Sequence, residues 1–228
     1  MKIGTFANGT IGFDCNVPLT VATARNARAL DYAFVMRYVG RVVTHYNDLS
    51  ANELAIATGE GLAVGIVQHV ELVPWVPRIE SGHIYGMTAA FLARKVGAPT
   101  GITLWCDLEG VAKSPNSAHN IGYNKEWHRC VSDGGFNPRL YVGDSCGLTN
   151  DELYYRLPYD GYWNAYNNNS DQSPSVRGYQ MFQRERKAAT LTTVGDPQLF
   201  DGNGERVAHQ IDSIHADKLG GTPIFIMP

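Results

Sequence analysis

Short apolar runs alternate with helical patterns along almost the whole chain. The apolar runs predict eight β-strands, at residues 9–15, 32–39, 62–71, 101–109, 138–145, 161–167, 179–184 and 207–214. Helices are predicted between most of them, at residues 21–30, 82–96 and 119–133, and behind the capping boxes Ser50-x-x-Glu53 and Thr149-x-x-Glu152. Such alternation predicts a parallel sheet, because a parallel neighbour must be reached through a crossover.

This order of elements predicts an α/β fold, a single (β/α)8 barrel of the TIM type over residues 1–228. A barrel of this kind needs roughly 200 residues or more, so the chain of 228 residues is long enough for one. The pattern is least regular at residues 167–208, where polar loops replace clear helices. An open doubly wound sheet stays an alternative, although the lone GxG at residues 59–61 fits the end of a helix better than a phosphate loop.

The predicted strand at residues 101–109 has two different faces. One face is apolar and suits the layer between strands and helices: Ile102, Leu104, Cys106 and Leu108. The opposite face would point into the barrel and carries Thr103, Trp105, Asp107 and Glu109. Asp107 and Glu109 therefore share one face at the carboxyl end of a strand, where barrel enzymes build their active sites.

Two carboxyl groups held so close raise the pKa of one of them, which produces a proton donor beside an anion. Glycoside hydrolysis requires that division of labour. The structural alternative is a pair of solvated loop carboxylates or ion-pair partners.

Other polar and aromatic side chains are expected at the same rim. Asp14 alternates inward on the first strand, Glu71 ends the third and Asp212 lies on the last. Each also has a plainer interpretation, as a turn residue or a solvated strand end. Aromatic side chains are candidates for stacking on sugar rings, with packing in the core or at the rim as the alternative: Trp75, Tyr162, Trp163 and Tyr166. Trp105 and Tyr141 are further candidates for substrate binding.

Composition and charge narrow the possible functions. The hydrophobic share of 44%, the charged share of 18% and the net charge of −3 describe a globular protein with no electrostatic reason to bind nucleic acid or an anionic membrane. No apolar run is long enough for a membrane span, and the first residues do not form a signal peptide, so we expect synthesis in the cytoplasm. We also expect a monomer without a cofactor.

The cysteines and histidines follow no recognised ligand spacing. Four cysteines lie far apart without a CxxC, and seven histidines include no HExxH. We therefore expect no metal site and four free thiols, with Cys15 and Cys106 facing outward from non-adjacent strands. The chain also lacks the GxSxG motif of serine hydrolases.

Several short segments, taken in order, resemble the glycoside-hydrolase-like barrel domains related to family 25 glycoside hydrolases. The segments that carry this resemblance include Gly12-Phe13-Asp14, residues 34–38, Asp107-Leu108-Glu109, Tyr141-Val142-Gly143, Trp163-Asn164-Ala165 and Ile211-Asp212. Members of family 25 are muramidases, which cleave the β-1,4 bond after N-acetylmuramic acid in peptidoglycan. The resemblance implies that Glu109 is the general acid and that Asp107 orients or stabilises the substrate's acetamido group.

The same resemblance places Asp14 and Asp212 on the floor of the cleft, and Asp14 is the third catalytic candidate. The chain departs from the muramidases where Asp14-Cys15-Asn16 replaces D-x-S. Arg37 fits the glycoside-hydrolase-like relatives better, and it would bind a substrate carboxylate or pair with Asp14.

Two functions remain open at this stage. The first is a peptidoglycan-degrading glycosidase, such as a phage endolysin or an exported wall-lytic effector that acts at the wall after release. The second is a non-catalytic barrel that binds a glycan or a protein, since a fold does not by itself imply an activity.

Overall fold

Most strands and helices lie close to their predicted positions, and two short strands at residues 2–4 and 225–227 were not predicted. The computed structural model describes residues 1–7, 9–113, 117–166, 168, 170–174, 178–184, 205–208 and 222–228, with the backbone alone at residues 184 and 205–208. The strands are β1 (Lys2–Gly4), β2 (Ile11–Asp14), β3 (Phe34–Val39), β4 (Ala63–Gln68), β5 (Thr103–Leu108), β6 (Asn137–Val142), β7 (Tyr162–Asn164), β8 (Met181–Arg184), β9 (Glu205–Ala208) and β10 (Phe225–Met227). The α-helices within the described residues are α1 (Val21–Ala29), α2 (Ala51–Gly59), α3 (Ile79–Lys95), α4 (Ala118–Asp133) and α5 (Asn150–Arg156).

The strands form a curled, barrel-like sheet. Strands β2 to β8 pair in parallel, each with its neighbour in chain order. Strand β9 lies between β8 and β2 and runs antiparallel to both. The fold is therefore a barrel-like α/β arrangement, and the prediction of eight parallel strands is wrong at the last one. An antiparallel strand needs no crossover helix to join its neighbours.

Two apolar layers hold the sheet in place. The inner layer fills the barrel with side chains that include Phe34, Met36, Val67, Trp105, Trp163, Met181 and Phe225. The outer layer lies between the strands and the helices and includes Leu104, Cys106 and Leu108 of β5. The two faces predicted for this strand are therefore confirmed. All four cysteines are free and buried, and Cys15 and Cys106 belong to the outer layer as predicted.

The helices begin where capping signals predict. Thr149 and Glu152 form a reciprocal capping box at the start of α5. Ser50 likewise accepts a hydrogen bond from the backbone N–H of Glu53, at 3.1 Å, at the start of α2. The carboxylate of Glu53, however, turns away from the cap and accepts hydrogen bonds from Leu19 N–H and from Arg37.

Arg37 belongs to the outer layer and not to the candidate site. Its guanidinium is fully buried and forms a two-point ion pair with Glu53, with Nε 2.6 Å from Oε1 and Nη2 3.2 Å from Oε2. It also donates to the carbonyl oxygens of Cys15 and Asn47. Binding of a substrate carboxylate and pairing with Asp14 are therefore both wrong for Arg37, because odd-numbered residues of β3 face the helices.

The two ends of the chain meet at the amino ends of the barrel strands. Strand β1 pairs antiparallel with β10, and β10 pairs antiparallel with β4 at Ile226 and Val64. The rings of Phe6, Phe34 and Phe225 pack against one another there, with centroids 4.8 to 5.5 Å apart. This aromatic cluster closes the floor of the inner layer. Within the described residues, no helix is both long and apolar enough to cross a membrane.

Candidate active site

A polar cavity of about 280 Å³ opens at the carboxyl ends of the parallel strands. Its lining residues are Asp14, Asn16, Tyr38, His69, Val70, Asp107, Glu109, Tyr141 and Gln183. The structure thus brings together the three carboxyl residues that the sequence singled out as catalytic candidates. They come from the ends of β2 and β5, because Asp14 and Asp107 lie on the face of each strand that points into the barrel and Glu109 follows directly after β5.

Asp107 is the more deeply buried of the two carboxyl residues at the end of β5, Asp107 and Glu109. Its side chain lies on the inner face at the end of the strand, and the residue is 7% exposed. Burial raises the pKa of Asp107 well above its usual value, the charge of Glu109 raises it further, and a hydrogen bond from the backbone of Val70 partly offsets both effects. Its Oδ1 is buried and has no hydrogen-bond partner among the described residues. Asp107 therefore favours its neutral form.

Glu109 lies just beyond the last residue of β5 and is only half-buried. Burial, followed by the charge of Asp144, raises the pKa of its carboxyl group. The indole of Trp75 donates a 2.8 Å hydrogen bond to the carbonyl oxygen of Glu109, which fixes the backbone at this position. Gly143 at the end of β6 leaves room for the side chain, since a Cβ there would lie 2.6 Å from Glu109 Cβ.

A connected set of polar side chains forms the wall beside Asp14. The hydroxyl of Tyr38 donates to Asp14 Oδ2 at 2.9 Å, and the ring of Tyr38 stacks on His69 with centroids 4.6 Å apart. Nε2 of His69 lies 3.3 Å from Oδ1 of the buried Asp48. Burial lowers the pKa of His69, while the charge of Asp48 acts in the opposite direction. Asp14 is thus held by Tyr38, whose ring in turn packs on His69.

Tyr141 also reaches the cavity, as predicted from the sequence. Its hydroxyl donates to Oε1 of Gln183 at 2.9 Å, which links the ends of β6 and β8. Trp163 packs edge-on against the Tyr141 ring, with centroids 4.6 Å apart.

Besides Arg37, four predicted site residues do not line this cavity or lie outside the described residues. Trp105 and Trp163 are each 1% exposed and pack edge-to-face within the inner layer, so they support the site as core residues and are not surfaces for sugars. Glu71 lies outside the cavity, where its carboxylate accepts a hydrogen bond from the hydroxyl of Tyr85. Asp212 lies outside the described residues.

Sequence reasoning missed Tyr38 and Gln183. The signal for Tyr38 was available, because Phe34, Met36 and Tyr38 alternate on one face of β3, and Tyr38 lies one residue before the end of the strand. Gln183 lacked such a signal, since β8 is short and its surroundings are irregular in sequence. The group of three potential metal ligands found within the described part of the chain lies elsewhere, between α3 and α4.

Comparison with known proteins identifies the family. The model of the Rv2525c-like, glycoside hydrolase-like domain matches residues 25–225. The chain belongs to this family. The resemblance seen in the sequence is thereby confirmed. No curated protein sequence matches the chain.

Solved structures agree with this family at the level of the fold. The Tat-secreted protein Rv2525c of Mycobacterium tuberculosis is 14% identical, with a TM-score of 0.63 over 91% of this chain and 97% of that one. An uncharacterized protein from B. stearothermophilus is 15% identical, with a TM-score of 0.61 over 93% and 100% of the two chains. The catalytic domain of endolysin ply40, from bacteriophage P40 of Listeria monocytogenes, is 19% identical, with a TM-score of 0.58 over 92% and 96%.

Proposed function

We propose that the chain is a glycoside hydrolase that cleaves peptidoglycan or a related glycan in the manner of a lysozyme. The observation that carries this proposal is the meeting of Asp14, Asp107 and Glu109 at one cavity, with the pKa values of the β5 pair raised by burial. Membership of the glycoside hydrolase-like family and the likeness to an endolysin fold support the substrate class. Action at the cell wall follows from that substrate.

Glu109 is assigned as the general acid. A raised pKa keeps a proton on its carboxyl group closer to neutral pH, where it is available for the oxygen of the leaving sugar. Half-burial leaves the group accessible from the cavity, and the Trp75 hydrogen bond holds its backbone in place. These features favour Glu109 over the deeper Asp107 for direct contact with the scissile bond.

Asp107 is assigned to recognise the substrate's acetamido group. Its buried Oδ1 is an acceptor without a partner among the described residues, and a substrate N–H would satisfy it. Asp107 and Glu109 titrate as a pair, because the charge on one disfavours charge on the other. Asp14, which accepts a hydrogen bond from Tyr38, supplies the third acidic group of the cavity.

A non-catalytic glycan-binding barrel is the second candidate. The observation that favours it is the burial of Asp107, which raises the pKa of this carboxyl group and so disfavours its charged form. A neutral Asp107 binds a sugar well but gives less support to a positively charged transition state.

Release of reducing ends from purified peptidoglycan distinguishes the two functions. We expect the wild type to release them and Glu109→Gln to lose roughly 10²-fold or more of the rate, because the transferable proton is gone. Asp107→Asn is expected to lose activity as well. Glu71→Gln is the matched control, since Glu71 follows the neighbouring strand but lies outside the cavity, and it should keep wild-type activity.

Two outcomes would contradict the assignment. Equal rates for the wild type and Glu109→Gln would remove Glu109 from the chemistry. No cleavage by the wild type between roughly pH 4 and pH 8, the range in which such a carboxyl pair could work, combined with retained binding of glycan fragments, would establish the binding barrel.

A further inference from the structure

A second group of chemically reactive side chains lies on the outer surface, where α3 packs against α4. His83 is on α3, and Glu126 and Cys130 follow each other by one turn on α4. Gly86 allows the two helices to approach closely, because a Cβ at this position would lie 2.7 Å from the carbonyl oxygen of Trp127. Imidazole, carboxylate and thiol are thereby brought together from distant parts of the sequence.

The ligand atoms of these three residues have the spacing of a metal site. They all lie within 4.8 Å of one another. Nδ1 of His83 is 3.4 Å from Sγ of Cys130 and 3.4 Å from Oε2 of Glu126. Ligands at ordinary zinc distances in a tetrahedron are separated by about 3.3 Å for nitrogen and oxygen and by about 3.5 Å for nitrogen and sulfur. Both distances from His83 are therefore close to those of a tetrahedral zinc site.

The three atoms already converge on a cationic nitrogen. Nη2 of Arg129 lies 2.9 Å from Glu126 Oε2, 3.1 Å from His83 Nδ1 and 3.5 Å from Cys130 Sγ. Because a guanidinium N–H can only donate, Nδ1 of His83 acts as the acceptor, which is the tautomer that binds metals. Arg129 is half-exposed, and its Nη1 donates to Asp133 Oδ2 at 2.8 Å, so the side chain can withdraw toward Asp133 without losing that ion pair.

We propose that His83, Glu126 and Cys130 bind zinc or a similar thiophilic divalent cation, which takes the place of the Arg129 guanidinium and links α3 to α4. A thiolate and an imidazole select such an ion over magnesium or calcium. A water molecule would complete the tetrahedron. Because the Cys130 thiol binds the ion as a thiolate, binding should release a proton and strengthen as the pH rises.

Cobalt titration of the reduced protein tests this site, with absorption as the readout. We expect one cobalt ion per chain, with a thiolate-to-cobalt band in the near ultraviolet, and its displacement by zinc. His83→Ala and Cys130→Ser should each abolish the band, and zinc should raise the melting temperature of the wild type but not of these two variants. His119→Ala, an exposed histidine on the same helix α4, should leave all of these results unchanged.

Arg129→Gln separates a metal site from a purely internal ion-pair network. Removal of the competing positive charge should raise cobalt affinity roughly tenfold in this solvent-exposed setting. The proposal is overturned if the wild type shows no thiolate band, if the band survives Cys130→Ser, or if only Arg129→Gln binds cobalt. In the last case Arg129 itself is the cation for which the cluster is built.

Discussion

At the scale of single residues, Asp107 combines burial with an incompletely paired carboxyl group. The residue is 7% exposed, and Oδ1 has no hydrogen-bond partner in the described part of the chain. A position of this kind costs stability when the group ionises, because a buried charge loses its hydration. The site therefore keeps a chemically useful carboxyl group at a cost in stability, as functional sites often do.

Asp107→Asn should increase stability at neutral pH. Burial raises the pKa of Asp107 in the folded protein, so the folded state binds this proton more tightly than the unfolded chain does. The stabilisation from this proton is complete below the unfolded value of about 4 and is lost as the pH rises through the folded pKa. Relative to the wild type, the free energy of unfolding of Asp107→Asn should therefore increase as the pH rises from 4 to 7.

Urea unfolding at several pH values measures this difference. Asp133→Asn is the control for loss of a negative charge at the surface, since its carboxyl group is 65% exposed. A stability difference between wild type and Asp107→Asn that does not grow with pH would contradict the raised pKa.

At the scale of elements, the ends of β5 and β6 position Glu109 together. The backbone N–H of Gly143 donates to Leu108 at 3.0 Å, and the N–H of Gly110 donates to Asp144 at 2.8 Å. The side chain of Glu109 lies against Gly143 between these two bonds. The absence of a side chain at Gly143 thus determines where the proposed acid can lie.

Gly143→Ala should displace Glu109 while the fold persists. A Cβ at this position would lie 2.6 Å from Glu109 Cβ, so the carboxyl group must shift. If the chain cleaves glycans as proposed, kcat/KM should fall about 10- to 100-fold, because small misplacements of a catalytic group are costly. The overlap should also lower the free energy of unfolding by about 1–3 kcal/mol, so the rates are compared well below the melting transition. Added to Glu109→Gln, the substitution should cause almost no further loss, and a fully additive effect would show that Gly143 acts elsewhere.

The close contact between α3 and α4 likewise depends on a glycine, Gly86, which has no side chain. Gly86→Ala should lower the free energy of unfolding by about 1–3 kcal/mol, since its Cβ would press on the backbone of Trp127. Gly59→Ala at the end of α2 meets no atom within 4 Å and should be neutral or stabilising by about 0.5–1 kcal/mol. Denaturant unfolding of the two variants compares them directly, and equal values would contradict the packing explanation.

The elements also show how far the sequence could predict this molecule. Period-two alternation placed Asp14, Asp107 and Glu109 at one rim, because side-chain direction in a strand is a local property. The partner of Arg37 could not be predicted, since Glu53 serves both as a helix-capping signal and as a buried anion, and only the packing of α2 against β3 decides between them. Trp105 and Trp163 were predicted to contact substrate, because period-two alternation shows which way a side chain points but not how deeply it is buried. The hydrophobic pattern of β9 does not show that this strand runs antiparallel to its neighbours.

At the scale of the whole molecule, the barrel has a polar end and an apolar end. Carboxyl groups, Tyr38 and His69 surround the cavity at the carboxyl ends of the strands. Phe6, Phe34 and Phe225 close the opposite end, and two of these rings come from segments near the chain termini. The aromatic cluster that stabilises the fold and the candidate site thus lie at opposite ends of the barrel. A substitution in the aromatic cluster should therefore affect stability more than activity.

Phe225→Ala tests this separation. The ring is 1% exposed and packs on Phe6 and Phe34, so its removal leaves a cavity in the inner layer. We expect a loss of about 3–5 kcal/mol of unfolding free energy, which corresponds to a melting temperature lower by roughly 10 °C for a chain of this size. Phe91→Ala is the matched control, because Phe91 on α3 is 62% exposed and its loss should change stability by less than about 0.5 kcal/mol. Well below the melting transition, glycan cleavage or binding by Phe225→Ala should equal that of the wild type. A loss of function at that temperature, with the far-ultraviolet circular dichroism unchanged, would show that the floor and the cavity are coupled through the inner layer.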